Sequence, residues 1–138
     1  MIIIKDTFNK EIFDQISELW MSTGVGNPQR GDNFEVVNIT LNNKGKILTA
    51  WENDRLVGTC WLTSDNRRLY LHHMAVHPDL QNKKIGHSLM QEAIKYGKAC
   101  QLQMKLEVNE QNPMAIHLYK KYGFNFIEHY IPMIKREI

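Results

Sequence analysis

Two cysteines in 138 residues, no lysine-arginine block, a formal net charge of only +2 and no apolar run of membrane-spanning length mark this chain first by what it lacks. Each shortage excludes something. Cys60 and Cys100 have no metal-ligand spacing, sit in no motif for a covalent intermediate, and leave no metal site to expect. Charge of mixed sign along the chain gives no basic stripe to track a phosphate backbone, so nucleic acid is not an expected partner. Without an apolar segment near twenty residues, no membrane partner is expected either. Met1–Ile4 is too short for the apolar core of an export signal, and Lys5-Asp6 follows at once. A cytoplasmic chain with reduced thiols is the expectation. Repeats, linkers and low-complexity tracts are missing too, which leaves one domain over residues 1–138, long enough for a real core.

What is present is ordered by periodicity. Residues 1–5 read as a short strand rich in β-branched side chains. Ile12, Ile16, Leu19 and Trp20 share a helical face between Lys10 and Met21. Ser22 to Asp32, with three glycines and a proline, reads as a loop. Phe34, Val37 and Leu41 predict a second short helix. Lys46–Glu52 and Leu56–Thr63 predict a hairpin across Asn53-Asp54-Arg55, and Arg68–Val76 a third strand in that run. Ile85, Leu89, Met90, Ala93 and Ile94 give the apolar stripe of a helix from Ile85 to about Lys98. The alternation of Leu102, Met104, Leu106 and Val108 predicts a half-buried strand. Asn112-Pro113 opens a further helix and Gly123 closes it. Phe124–Tyr130 and Met133–Arg136 read as two final strands. The order predicts an α/β domain: a mixed sheet of about seven strands, with a parallel crossover from Arg68 to Val108, flanked by four helices.

The stretch Val76-His-Pro-Asp-Leu-Gln-Asn-Lys-Lys-Ile-Gly86 passes from strand to helix through a polar turn. A helix start presents backbone N–H groups and the positive end of the dipole, which suits an anion such as phosphate. Lys83 and Lys84 add full charges, and Gly86 lets a ligand approach the backbone.

These residues, with Leu106 to Phe124, resemble the GNAT superfamily of acyl-CoA-dependent N-acetyltransferases. The cofactor motif of that family, Gln/Arg-x-x-Gly-x-Gly/Ala, is matched at both ends by Gln81, Asn82, Lys83, Lys84, Ile85 and Gly86. Lys84 stands where the family usually has glycine. Its second pattern, Asn-x-x-Ala-x-x-x-Tyr-x-x-x-Gly-Phe, is intact in Asn112, Ala115, Tyr119, Gly123 and Phe124. The resemblance implies a GNAT-like fold whose central sheet splays, with acetyl-CoA as co-substrate. It implies pyrophosphate on the turn from Gln81 to His87, and the pantetheine arm along Met74, Ala75 and Val76. Asn112, Ala115 and Tyr119 complete the implied cofactor contacts.

Aminolysis of a thioester needs a base for the amine, a donor for the oxyanion and a proton or hydrogen bond for the thiolate. Tyr119 takes the acid role by its place in the motif. Glu107 and His72 are the candidate bases, and both stay open. His73 should face away from His72 on an alternating strand. The oxyanion donor implied is a backbone N–H within Met74–Val76. Trp20, Arg30 and Asp32 are expected at the acceptor pocket, Arg30 suiting a carboxylate or phosphate and Asp32 an ammonium. The expected reaction is acetyl transfer to a primary amine of a small molecule, in a monomer or homodimer. The alternatives are a non-catalytic acyl-CoA sensor, a protein or peptide N-terminal acetyltransferase, and a phosphate-binding domain for another nucleotide.

Overall fold

The computed structural model describes residues 1–81 and 83–138. Asn82 lies outside the described residues. Five strands form one sheet in sequential order: β1 (Ile2–Lys5), β2 (Lys46–Glu52), β3 (Arg55–Ser64), β4 (Arg68–Val76) and β5 (Gln103–Leu106). The first four pair antiparallel and β4 pairs parallel with β5, as a strand-helix-strand crossover requires.

Four α-helices cover the two faces. On one lie α1 (Lys10–Thr23) and α2 (Phe34–Thr40); on the other lie α3 (Ile85–Cys100) and α4 (Pro113–Lys121). Caps explain where they start. The side chains of Asn9, Asn33 and Asn112 each accept a hydrogen bond from the third residue of the helix they open. The apolar stripe of α1 buries Phe13, Ile16, Leu19 and Trp20, each contributing roughly 1.5–3 kcal/mol of burial. The indole N–H of Trp61 on β3 donates to Thr40 Oγ1 at 3.0 Å and ties α2 down. On the other face α3 packs so tightly over β3 that a Cβ at Gly58 would come within 3.0 Å of Ile85. A side chain there would crowd Ile85, Leu89 and Ala50, which would have to give by a few tenths of an ångström.

Two expectations are corrected. No strand forms after α4: residues 124–138 take neither helix nor strand geometry. A strand exists by pairing, and this segment is interrupted. His129 adopts a φ of 70°, and Pro132 has no N–H to donate. Ile131, Met133 and Ile134 stand exposed. The tail instead forms one wall of an open cleft of about 930 Å³ beside β5, with Phe124, Tyr130 and Pro132 facing Met104 and Leu106. The sheet therefore has five strands, not seven. β5 is also shorter than its alternation predicts, because its last partner pair is Leu71 with Leu106.

Candidate functional site

The end of β4–β5 pairing coincides with an irregularity on the other edge of β4. In the register of β3 with β4, Thr59 faces Ala75 and Trp61 faces His72, so His73 and Met74 together oppose the single residue Cys60. This is a β-bulge, and His73 carries it with a φ of 48°. Below the bulge β4 and β5 are paired; from His72 onward β4 runs on without that partner. Pairing with β5 thus ends before Met74, Ala75 and Val76.

The turn beyond β4 is well braced. His77 N–H donates to Val57 O at 2.8 Å, and Lys83 N–H donates to Leu80 O at 3.2 Å. Gln81 Nε2 reaches back to Val76 O. Lys84 closes the turn in the left-handed region, φ 60° and ψ 22°. That conformation is the natural place for glycine, and lysine occupies it at a strain. Lys83 and Lys84 are both exposed. The amides of Ile85, Gly86 and His87 open the helix, in the positions a helix leaves without intrahelical acceptors. Gly86 has a packing reason as well: a Cβ there would approach Leu118 of α4 to 3.3 Å. The ring of His87 is engaged with the hydroxyl of Tyr122 at 3.2 Å. Burial first, then Lys121, Lys84 and His117, hold its basicity below the ordinary value. Asn112 caps α4 by accepting from Ala115 N–H at 3.1 Å.

Tyr119 is 8% exposed and stacks edge-on with Phe124 at 6.0 Å between ring centres. Burial, with Cys60 adding to it, pushes its phenol up to about 12. Tyr119 and Glu107 both line the cleft beside β5. Glu107 lies one residue beyond β5 and is exposed. His72 Nε2 lies 2.9 Å from Thr63 Oγ1. Burial first, then the adjacent His73, lowers the basicity of His72, while Glu107 and Asp32 pull the other way.

On the acceptor side two expectations change. Trp20 is 1% exposed, a core residue whose indole N–H donates to Thr59 Oγ1 at 2.8 Å. It reaches no solvent that a substrate could occupy. His73 does not point away from His72: the bulge breaks the alternation, and both imidazoles pack on Trp61, at 5.3 and 5.4 Å. Asp32 accepts from His73 Nε2 at 2.8 Å and from the Asn27 N–H. Arg30, in a 3-10 turn over Pro28–Arg30, is exposed. Residue-type patterns overlooked Thr59, Trp61 and His73. The only signal was the His72-His73 doublet, because no glycine marks this bulge.

The profile of the acetyltransferase (GNAT) family matches residues 13–124. The chain belongs to that family. Among solved structures it is similar to a GNAT-family acetyltransferase from Staphylococcus aureus Mu50, at 25% identity and a TM-score of 0.80, over 94% of this chain and 87% of that one. A GNAT-family protein from Streptococcus pneumoniae TIGR4 is 27% identical with a TM-score of 0.72, over 99% of this chain and 100% of that one. The aminoglycoside N-acetyltransferase AAC(6′)-Iy, solved with coenzyme A, shares the fold at 15% identity and a TM-score of 0.79, over 99% of this chain and 95% of that one. No curated protein matches the chain.

Proposed function

We propose that this protein transfers an acetyl group from acetyl-CoA to a primary amine of a small molecule, by direct attack in a ternary complex. The observations that carry the reading are the end of β4–β5 pairing at Leu71 with Leu106, next to the β4 bulge, the helix start that follows β4, and the buried Tyr119 on the cleft beside β5. The co-substrate fits the turn: the amides of Ile85 to His87, together with Lys83 and Lys84, suit a pyrophosphate. The edge of Met74, Ala75 and Val76 that has no partner in β5 suits the pantetheine arm, bonded as an added strand. A family relative solved with coenzyme A supports the same assignment.

When bound, the co-substrate supplies an acyl carbon activated by a thiol leaving group. A backbone N–H near the bulge meets the charge that develops on the carbonyl oxygen. Tyr119 faces the departing sulfur. Its phenol titrates near 12, against roughly 8.5 for an ordinary alkyl thiol, so complete proton transfer runs uphill by on the order of 5 kcal/mol. Tyr119 therefore acts as a hydrogen-bond donor that keeps its proton. Glu107, on the cleft beside β5, and His72 are the bases that the family resemblance offers for the amine.

A thiol-release assay with acetyl-CoA against amino acids, polyamines, aminoglycosides, arylalkylamines and short peptides tests the reading. Turnover with any small amine supports it and names the acceptor class. Turnover with peptides alone moves the acceptor to protein N-termini. Silence across the panel, with acetyl-CoA still bound, replaces it with a non-catalytic sensor.

A further inference from the structure

The acyl-transfer reading leaves unused a half-buried histidine–carboxylate contact. His73 Nε2 and Asp32 Oδ1 lie 2.8 Å apart, with side chains only 20% and 12% exposed. An ionised carboxylate can only accept, so Nε2 carries a proton, and in the neutral ring Nδ1 then carries the lone pair. Nδ1 makes no hydrogen bond among the described residues. No fully buried side-chain nitrogen or oxygen there lacks a partner, so Nδ1 opens to solvent.

Everything around the ring fixes its orientation. Trp20 meets it edge-on at 4.6 Å, and Trp61 packs against it at 5.4 Å. The carbonyl of the same residue accepts from Thr59 Oγ1 at 3.0 Å, and Thr59 is itself held by Trp20. The loop that carries Asp32 is pressed on Trp20 through Gly26, where a Cβ would fall 2.7 Å from Trp20 Cβ. The charged and titratable groups facing His73 are Asp32 from that loop and His72 on its own strand, with Glu107 at the end of β5 acting on His72. His73 is also a bulge residue, one position before Met74 and two beyond the last β4–β5 pair.

We infer that His73, oriented by Asp32, is the group that takes the proton from the acceptor amine, with Nδ1 as the accepting atom. The inference rests on the acyl-transfer reading and names a base that Glu107 and His72 do not supply. The amine proton passes to Nδ1, the new C–N bond forms and the C–S bond breaks. Asp32 stabilises the resulting imidazolium, which then returns its proton to water or to the released thiolate. Glu107 is exposed, and the tilted His72 ring has its Nε2 against Thr63. Neither is held by a carboxylate as His73 is.

The test uses the full chain and an amine that it acetylates. Long-range proton–nitrogen correlation of the histidine rings should show neutral His73 as the Nε2–H tautomer, and Asp32→Asn should loosen that preference. Finding the Nδ1–H tautomer overturns the inference. His73→Asn is the kinetic probe, because asparagine tolerates a positive φ. It should lower kcat by about 100-fold, leave the KM for acetyl-CoA unchanged, and regain part of its rate with added imidazole. Wild-type kcat, or a loss that imidazole does not restore, overturns it. Should His73→Asn fail to fold, Asp32→Asn decides: unchanged kcat overturns, and a loss with the tautomer shift supports. A wild-type chain that binds acetyl-CoA but acetylates no amine refutes the acyl-transfer reading and takes this inference with it. An active wild type indifferent to His73→Asn refutes only the His73–Asp32 pair.

Discussion

Replacing Tyr119 with phenylalanine removes one oxygen from a side chain that is 8% exposed and whose ring packs against Phe124. The ring stays, so packing is conserved and no cavity forms. On the proposed mechanism, what is lost is the hydrogen-bond donor to the leaving sulfur. A hydrogen bond to a charged group contributes about 1.5–3 kcal/mol, so kcat should fall by about 10- to 150-fold. Acetyl-CoA affinity, measured by calorimetry, should hold. A second readout comes from stability. The phenol is raised from 10.0 to about 12, first by burial and then by Cys60. A raised value means that the folded state keeps its proton longer than the unfolded chain. The resulting stability is complete below pH 10 and is lost as pH rises through about 12. Two units correspond to about 3 kcal/mol. Wild type should lose that much more than Tyr119→Phe between pH 9.5 and 12.5 in urea unfolding; Cys60 and Tyr96, also raised to about 12, cancel in the comparison. Unchanged turnover in the variant, or an acetyl-CoA affinity that falls in step with kcat, would refute the assignment of Tyr119 to the sulfur.

The other predictions concern the turn, the core and the histidines. Lys84→Gly relieves a left-handed lysine, so unfolding should become harder by up to about 1 kcal/mol while acetyl-CoA binding weakens and grows less sensitive to salt; a destabilised variant argues against strain at this position. Trp20→Phe breaks the buried bond to Thr59 and leaves a void, so chemical denaturation should show a loss of about 2–4 kcal/mol, and a loss below 1 would refute the bracing role. His72 is held below 6.5 by burial, so the unfolded chain binds its proton first and the stability it contributes is present above pH 6.5 and lost as pH falls below it. His72→Gln should flatten that acid-side decline in a pH series of thermal unfolding; an identical slope would refute it.

Much of this molecule was written in local pattern. The apolar spacing of α1 and α3, the asparagine before α4 and the alternation in β2 to β4 each follow from side-chain periodicity and capping, which act over a few residues. The two family motifs are equally local, so the family was legible from residues 81–86 and 112–124. Long-range pairing decided the rest. Whether residues 124–138 become strands depends on a partner edge, and β-propensity says nothing of that. Trp20 looked available to a substrate until α1 docked on β3 and closed it off. Alternation placed His73 on the far face, yet one extra residue opposite Cys60 turned it onto Trp61 and Asp32. That bulge is a mismatch between two strands, a property of their register that neither strand carries alone. The sequence by itself thus determined the four helices, the strands up to β5 and the family. Only the tertiary structure decided which imidazole meets which carboxylate, because those two residues are 41 positions apart and meet only when the loop before α2 folds over the bulge of β4.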